Sequence, residues 1–214
     1  YEDYKKALIS PIKIIQQEDE FIKKARNLSG NSIKVQWVTG DVSSAEKSFF
    51  TINQQGVAIS DIELEIINSR KTPTAISSRA IMRMGLGHKY WSNFSEESQN
   101  DIEKLSEEIY NMMFLPKLET PIKTLDVPMC GKHNSSNSLS LIYEFVKICY
   151  PKWELKEIDE SGCKTIECLK EVRKVLRLIN DNHKSSLGLH PIIYFYSKNG
   201  TFQVSTFYAI SLFV

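Results

Sequence analysis

The sequence predicts a mainly α-helical protein with one short strand near its beginning. Three observations lead there. Several segments repeat apolar residues at helical spacing, and one alternates them with period two. Ser-x-x-Glu and Thr-Pro signatures mark helix starts, and glycine or proline marks the stops. Apolar residues are 42% of the 214-residue chain and charged residues 25%, enough for a packed core and a solvated surface.

Residues 1–9 read as helix, broken at Ser10-Pro11. Pro11 suits a first helical position with Ser10 as its cap. Ile12, Ile15, Phe21, Ile22 and Ala25 share a face through Arg26. Leu28 to Ser32 is a loop. Ile33, Val35 and Trp37 then alternate with Lys34, Gln36 and Val38, the pattern of a strand. Thr39-Gly-Asp41 turns the chain, and Ser43 or Ser44 caps a helix that ends in Phe49, Phe50 and Ile52. Asn53, Gln54 and Gln55 follow, and Gly56 stops the helix in a left-handed conformation. A lone strand cannot satisfy its own backbone groups. The chain also begins at Tyr1 and ends on an apolar Ser211-Leu-Phe-Val214. It is therefore read as an internal fragment whose missing strands precede Tyr1.

Everything after Ser60 reads as helical. Ser60 and Glu63 form a capping box for a short helix to Asn68. Thr72 caps a helix that starts at Pro73 and reaches about Met84, with Gly85 and Gly87 as its stop. Ser95 opens a long helix striped by Ile102, Leu105, Ile109, Met112 and Met113, and Pro116 ends it. Leu118 to Asn134 reads as a long loop, either functional or mobile. Ser138 to Cys149 is apolar nearly all round, as a buried helix is. Thr165 to Asn180 is amphipathic, with Ile166, Leu169, Val172, Val175, Leu176 and Ile179 on one side and Lys170, Arg173, Lys174 and Arg177 on the other. His190-Pro191 begins a last apolar segment, and Asn199-Gly200 separates it from a final helix or strand. The domain division follows: residues 1–60, then a helical domain over 61–214.

Net charge is +1, so nucleic-acid binding would have to rest on a local basic face. No apolar run approaches the roughly 18 to 20 residues of a membrane span. Four cysteines in so long a chain read as reduced structural thiols of a cytoplasmic protein, without zinc-ligand spacing. Two groups are candidate sites. Asn53, Gln54 and Gln55 carry amides that both donate and accept, and Gly56 permits close backbone approach. Against this stands a plain helix C-cap. Arg70, Lys71, Arg79, Arg83 and Lys89, with His88, Tyr90 and Trp91, form a basic and aromatic group suited to phosphate contact. Its bland alternative is a solvated face with cations at helix C-termini. His183 and His190 flank a Ser-Ser-Leu-Gly turn capped by Ser185 or Ser186. That turn lacks a carboxylate cluster and is given no catalytic role.

The spacing Phe49-x-x-x-Asn53, followed by Gly56 and an acidic helix, resembles the N-terminal domain of GmrSD-type restriction proteins. The stretches Arg79–Trp91 and Ser185–Ser197 also look like parts of longer members. That family has a ParB/sulfiredoxin-like fold that hydrolyses a nucleoside triphosphate. The resemblance implies that residues 1–60 are the C-terminal part of such an α/β domain. It places Phe49, Asn53, Gln54, Gln55 and Gly56 at the nucleotide pocket, and it implies a nucleoside triphosphate with a divalent metal as cofactor. It further implies hydrolysis coupled to DNA cleavage in a prokaryotic phage-defence protein. The family's Asp-Gly-Gln-Gln-Arg segment is absent here, so this chain alone is expected to be inactive. DNA and nucleotide are the expected partners, with self-association through the helical domain as a further candidate. The alternative is a non-catalytic helical module that binds nucleic acid or a protein.

Overall fold

The computed structural model describes residues 60–87, 90–115, 127–133, 137–155 and 157–214. All of them belong to the second of two compact units, Ile59–Val214. The expected strand at 33–38 and the motif at 49–56 lie outside the described residues.

Among the described residues of this unit there are seven helices. They are α1 (Asp61–Asn68), α2 (Pro73–Met82), α3 (Glu96–Phe114), α4 (Ser138–Cys149), α5 (Cys163–Ile179), α6 (Pro191–Tyr194) and α7 (Val204–Phe213), with a 3-10 turn at Pro151–Leu155 after α4. Among the described residues there is no strand. A lone antiparallel bridge joins Tyr196 to Phe202 across the Asn199-Gly200 turn. The last segment is thus a helix, α7.

The predicted caps form. Ser60 Oγ accepts from the Glu63 N–H at 3.3 Å, and the Glu63 carboxylate accepts from the Ser60 N–H at 3.0 Å, closing the box of α1. Thr72 Oγ1 accepts from the Ala75 N–H at 3.4 Å ahead of α2. Ser95 Oγ accepts from the Ser98 N–H at 3.3 Å ahead of α3. The stop of α2 differs in detail from expectation. Met84 is already left-handed, at φ 55°, and the expected glycines Gly85 and Gly87 follow it at φ 71° and 78°. The Met84 N–H bonds to the Ile81 carbonyl, and the Gly85 N–H bonds to the Ala80 carbonyl, the paired bonds of a Schellman end. Gly85 serves a further purpose. A Cβ there would stand 2.7 Å from the backbone of Glu103, so its absence lets the turn lie against α3.

α2 and α4 form the centre. α2 packs against α3, α4 and α5, while α3 lies along α5 and α7 covers α4. No residue of α4 is exposed. Its Ile142, Phe145 and Val146 join Ile81 of α2, Ile109 and Met113 of α3, Leu169 and Val172 of α5, and Phe207 of α7 in one core. Trp91 is fully buried in it. Ile66 of α1 packs separately with Ala75 and Tyr143. α2 buries eight of its ten residues, several of them small or hydroxylated. Ser78 Oγ donates to the Thr74 carbonyl at 2.7 Å, which satisfies the hydroxyl inside the helix.

The end of the long loop expected at 118–134 is part of the core. Met129 and Cys130 are buried, and the Cys130 N–H donates to the Met113 carbonyl at 2.9 Å. Tyr196 Oη donates to the Pro128 carbonyl at 2.6 Å, tying this stretch to the segment before α7. The apolar Met129-Cys130 pair explains the difference: it gains more from burial than the surrounding prolines and polar residues suggest.

Candidate nucleic-acid interface

Two arginines of the basic group meet at one aromatic ring. Arg79 and Arg83, one turn apart at the end of α2, both approach Tyr90. Their guanidinium carbons stand 4.4 and 5.7 Å from the ring centroid. This is a cation–π arrangement, and Tyr90 remains 39% exposed. Trp91, the next residue, does not join it, because its indole is in the core.

The two arginines differ in role. Arg79 is half-buried, and its Nη2 donates to the Ile66 carbonyl at 2.8 Å. It therefore ties the last turns of α1 to α2. Burial lowers its pKa, Tyr90 acts in the opposite sense, and Arg70 and Arg83 add to the lowering. A guanidinium ordinarily titrates so high that it stays charged even so. Its Nη1 is buried with no hydrogen-bond partner. Arg70, Lys71 and Arg83 are exposed and form the accessible cations of the group. The Lys71 carbonyl also accepts the Asp159 N–H at 3.0 Å, which fixes this corner against the loop leading into α5. Lys89 and His88 lie outside the described residues. So do Phe49, Asn53, Gln54, Gln55 and Gly56.

The residue missed in the sequence is Asp159. It is 5% exposed and accepts four hydrogen bonds. Its Oδ1 takes the N–H groups of Ser161 and Gly162 at 3.2 and 2.9 Å. Its Oδ2 takes the Thr165 N–H and hydroxyl, both at 2.7 Å. The formal cap of α5, Gly162, has no side chain to offer, so Asp159 supplies the acceptor from three residues upstream. An acidic residue shortly before a glycine and an amphipathic run is the available signal.

The histidine turn is held by Ser186. Ser186 Oγ accepts from the N–H groups of Asp181 and Gly188 at 2.8 and 3.2 Å, so of the two serines considered, Ser186 makes the cap. Gly188 takes a left-handed conformation at φ 60°. All four cysteines are free thiols, and only Cys163 is exposed. Burial pushes Cys130 and Cys149 well up and Cys168 up to about 12, so these three stay protonated at neutral pH. Among the described residues, no group of three or more His, Cys, Asp or Glu is placed to hold a metal ion. No helix among them is long and apolar enough to cross a membrane.

Comparison with known proteins finds no matching family model, no matching curated protein and no matching solved structure.

Proposed function

We propose that this chain is the DNA-contacting part of a nucleoside-triphosphate-dependent restriction or phage-defence protein. Residues 1–60 are assigned to a ParB-like nucleotide domain, on the strength of Phe49-x-x-x-Asn53 and Gly56. The helical unit after it holds the DNA backbone. The observation that carries the DNA assignment is the stacking of two arginines on a half-exposed tyrosine. Like charges at successive turns repel. Here the ring face offsets that cost beside the exposed Arg83. Phosphate oxygens complement guanidinium and ammonium groups in charge and in hydrogen-bond donors.

Each residue has a distinct part in this reading. Arg79 positions Tyr90 and braces α1. Arg83, Arg70 and Lys71 meet phosphate oxygens, which orient DNA without reading its sequence. Asn53, Gln54, Gln55 and Phe49 shape the nucleotide pocket. Hydrolysis itself is assigned to the parent protein, which would supply the Asp-Gly-Gln-Gln-Arg segment and the divalent metal. The experiment for this part is Asn53→Ala in a parent carrying both signatures. Nucleotide turnover should fall while the melting temperature holds. Wild-type turnover, or equal loss of turnover and stability, would refute a pocket role.

A second reading has one observation in its favour. Several of the described ionisable groups of the unit form surface ion pairs and caps, as in a scaffold. On that reading the unit binds nucleic acid or a protein without catalysis. Full turnover loss in the Asn53 variant would exclude it.

A further inference from the structure

A second basic surface lies at the far end of α5 from the Lys71–Asp159 contact. Lys170, Arg173, Lys174 and Arg177 are spaced three or four residues apart, so they line one face. This face and the turn after the helix border a groove of about 320 Å³, which Asp181, His183, Ser185 and Ser186 also line. Two features that are separate in the sequence, the basic side of α5 and the histidine turn, thus meet in one place.

The cations there are arranged, not loosely scattered. Glu108 of α3 accepts from Arg173 Nη1 at 3.0 Å and from Arg177 Nη2 at 2.5 Å. One carboxylate therefore fixes two guanidinium groups, each of which has five N–H donors to offer. Lys174 meets Glu171 at 3.4 Å, and Arg177 meets Asp181 at 3.8 Å. Lys170 has no acidic partner within salt-bridge range among the described residues. Four cations thus face three carboxylates, and positive charge is left over. In the turn that also lines the groove, His183 Nδ1 accepts the Ser185 N–H at 3.2 Å. That bond leaves the proton of the neutral ring on Nε2, as a donor.

We infer that this groove is a second nucleic-acid contact, seating consecutive phosphates of one strand. The dimensions agree. Lys170 to Arg177 covers seven residues, a rise of roughly 10 Å along the helix. Consecutive phosphates of one strand stand further apart than their axial rise of about 3.4 Å, because the strand winds around the axis, so this length reaches about two of them. A free nucleotide fits less well. Nucleotide pockets need an apolar or aromatic wall for the base, and the described lining offers only Leu178. The contact is accordingly to backbone, independent of sequence. This inference stands on different residues from the α2 surface of the proposed function, so either can fail alone.

The test uses the whole chain with short labelled duplexes of two unrelated sequences, titrated across a salt series. Lys170→Glu with Lys174→Glu changes two exposed side chains and leaves the Glu108 pairs intact. Affinity should fall about tenfold for both sequences, and the slope of log affinity against log salt should shrink by roughly 1 to 2. The neutral pair Lys170→Gln with Lys174→Gln should move the same way by less, which guards against a folding defect in the reversed pair. Binding indistinguishable from wild type in a folded reversed variant would overturn the inference. Displacement of the duplex by adenosine monophosphate, at concentrations where inorganic phosphate has no effect, would also overturn it by marking a mononucleotide pocket. Loss of binding in Arg83→Glu alone, with the α5 variants unaffected, would leave the α2 surface standing and remove this one.

Discussion

Asp159 carries more of the fold than any charged residue the sequence brought forward. Its two oxygens accept four hydrogen bonds at the start of α5, and its own N–H ties the loop to Lys71. Removing it would leave buried donors at Gly162 and Thr165 unsatisfied. Asp159→Ala should cost about 2 to 3 kcal/mol, the combined scale of a lost cap and a lost charged acceptor. Urea unfolding of the two proteins measures it, and a change near zero would show that water replaces the carboxylate. The sequence hid Asp159 because the cap position itself is a glycine. Arg79 was visible as a cation, but its bond to Ile66 was not. A side chain that reaches a carbonyl thirteen residues earlier obeys tertiary geometry, not spacing. Tyr90 and Trp91 show the same limit. Neighbours of similar composition divide between a half-exposed cation partner and the core.

At the scale of elements, helix existence was legible and helix importance was not. Ser60, Thr72 and Ser95 all cap where their local chemistry says, because capping depends on three or four adjacent residues. α4 was recognisable as buried from its apolar perimeter. α2 was not, since its alanines and serines carry little hydrophobic signal. Its small side chains are what let three other helices approach it. The α3–α5 pair adds an electrostatic tie at Glu108. Burial alone would raise that carboxyl, but hydrogen bonds and charges from Arg173 and Arg177 prevail and hold it below its ordinary 4.5. A depressed folded value means the pair stabilises above the unfolded value and is lost as pH falls through the folded one. The urea midpoint should therefore drop as pH is lowered from about 4.5, and Glu108→Gln should flatten that part of the profile. An unchanged profile in the variant would mean the arginines find equal partners elsewhere. The pair is partly solvated, so the effect should also weaken in high salt.

For the molecule as a whole, the prediction of a mainly helical chain holds for the described residues, which contain no strand. Period and caps carry that much because they are local. The placement of Met129-Cys130 in the core and the meeting of the α5 face with the histidine turn depend on contacts distant in sequence, which periodicity does not encode. The central claim is that the helical unit holds DNA by its backbone, at the surface of Arg70, Lys71 and Arg83. The most direct measurement is duplex affinity across a salt series for the whole chain and for the variant with all three reversed to glutamate. The account predicts that wild-type affinity falls with salt and is alike for unrelated sequences, and that the variant binds more weakly with a slope smaller by roughly 0.9 per lost phosphate contact. Superimposed curves from a folded variant, or no wild-type binding at low salt, would contradict it.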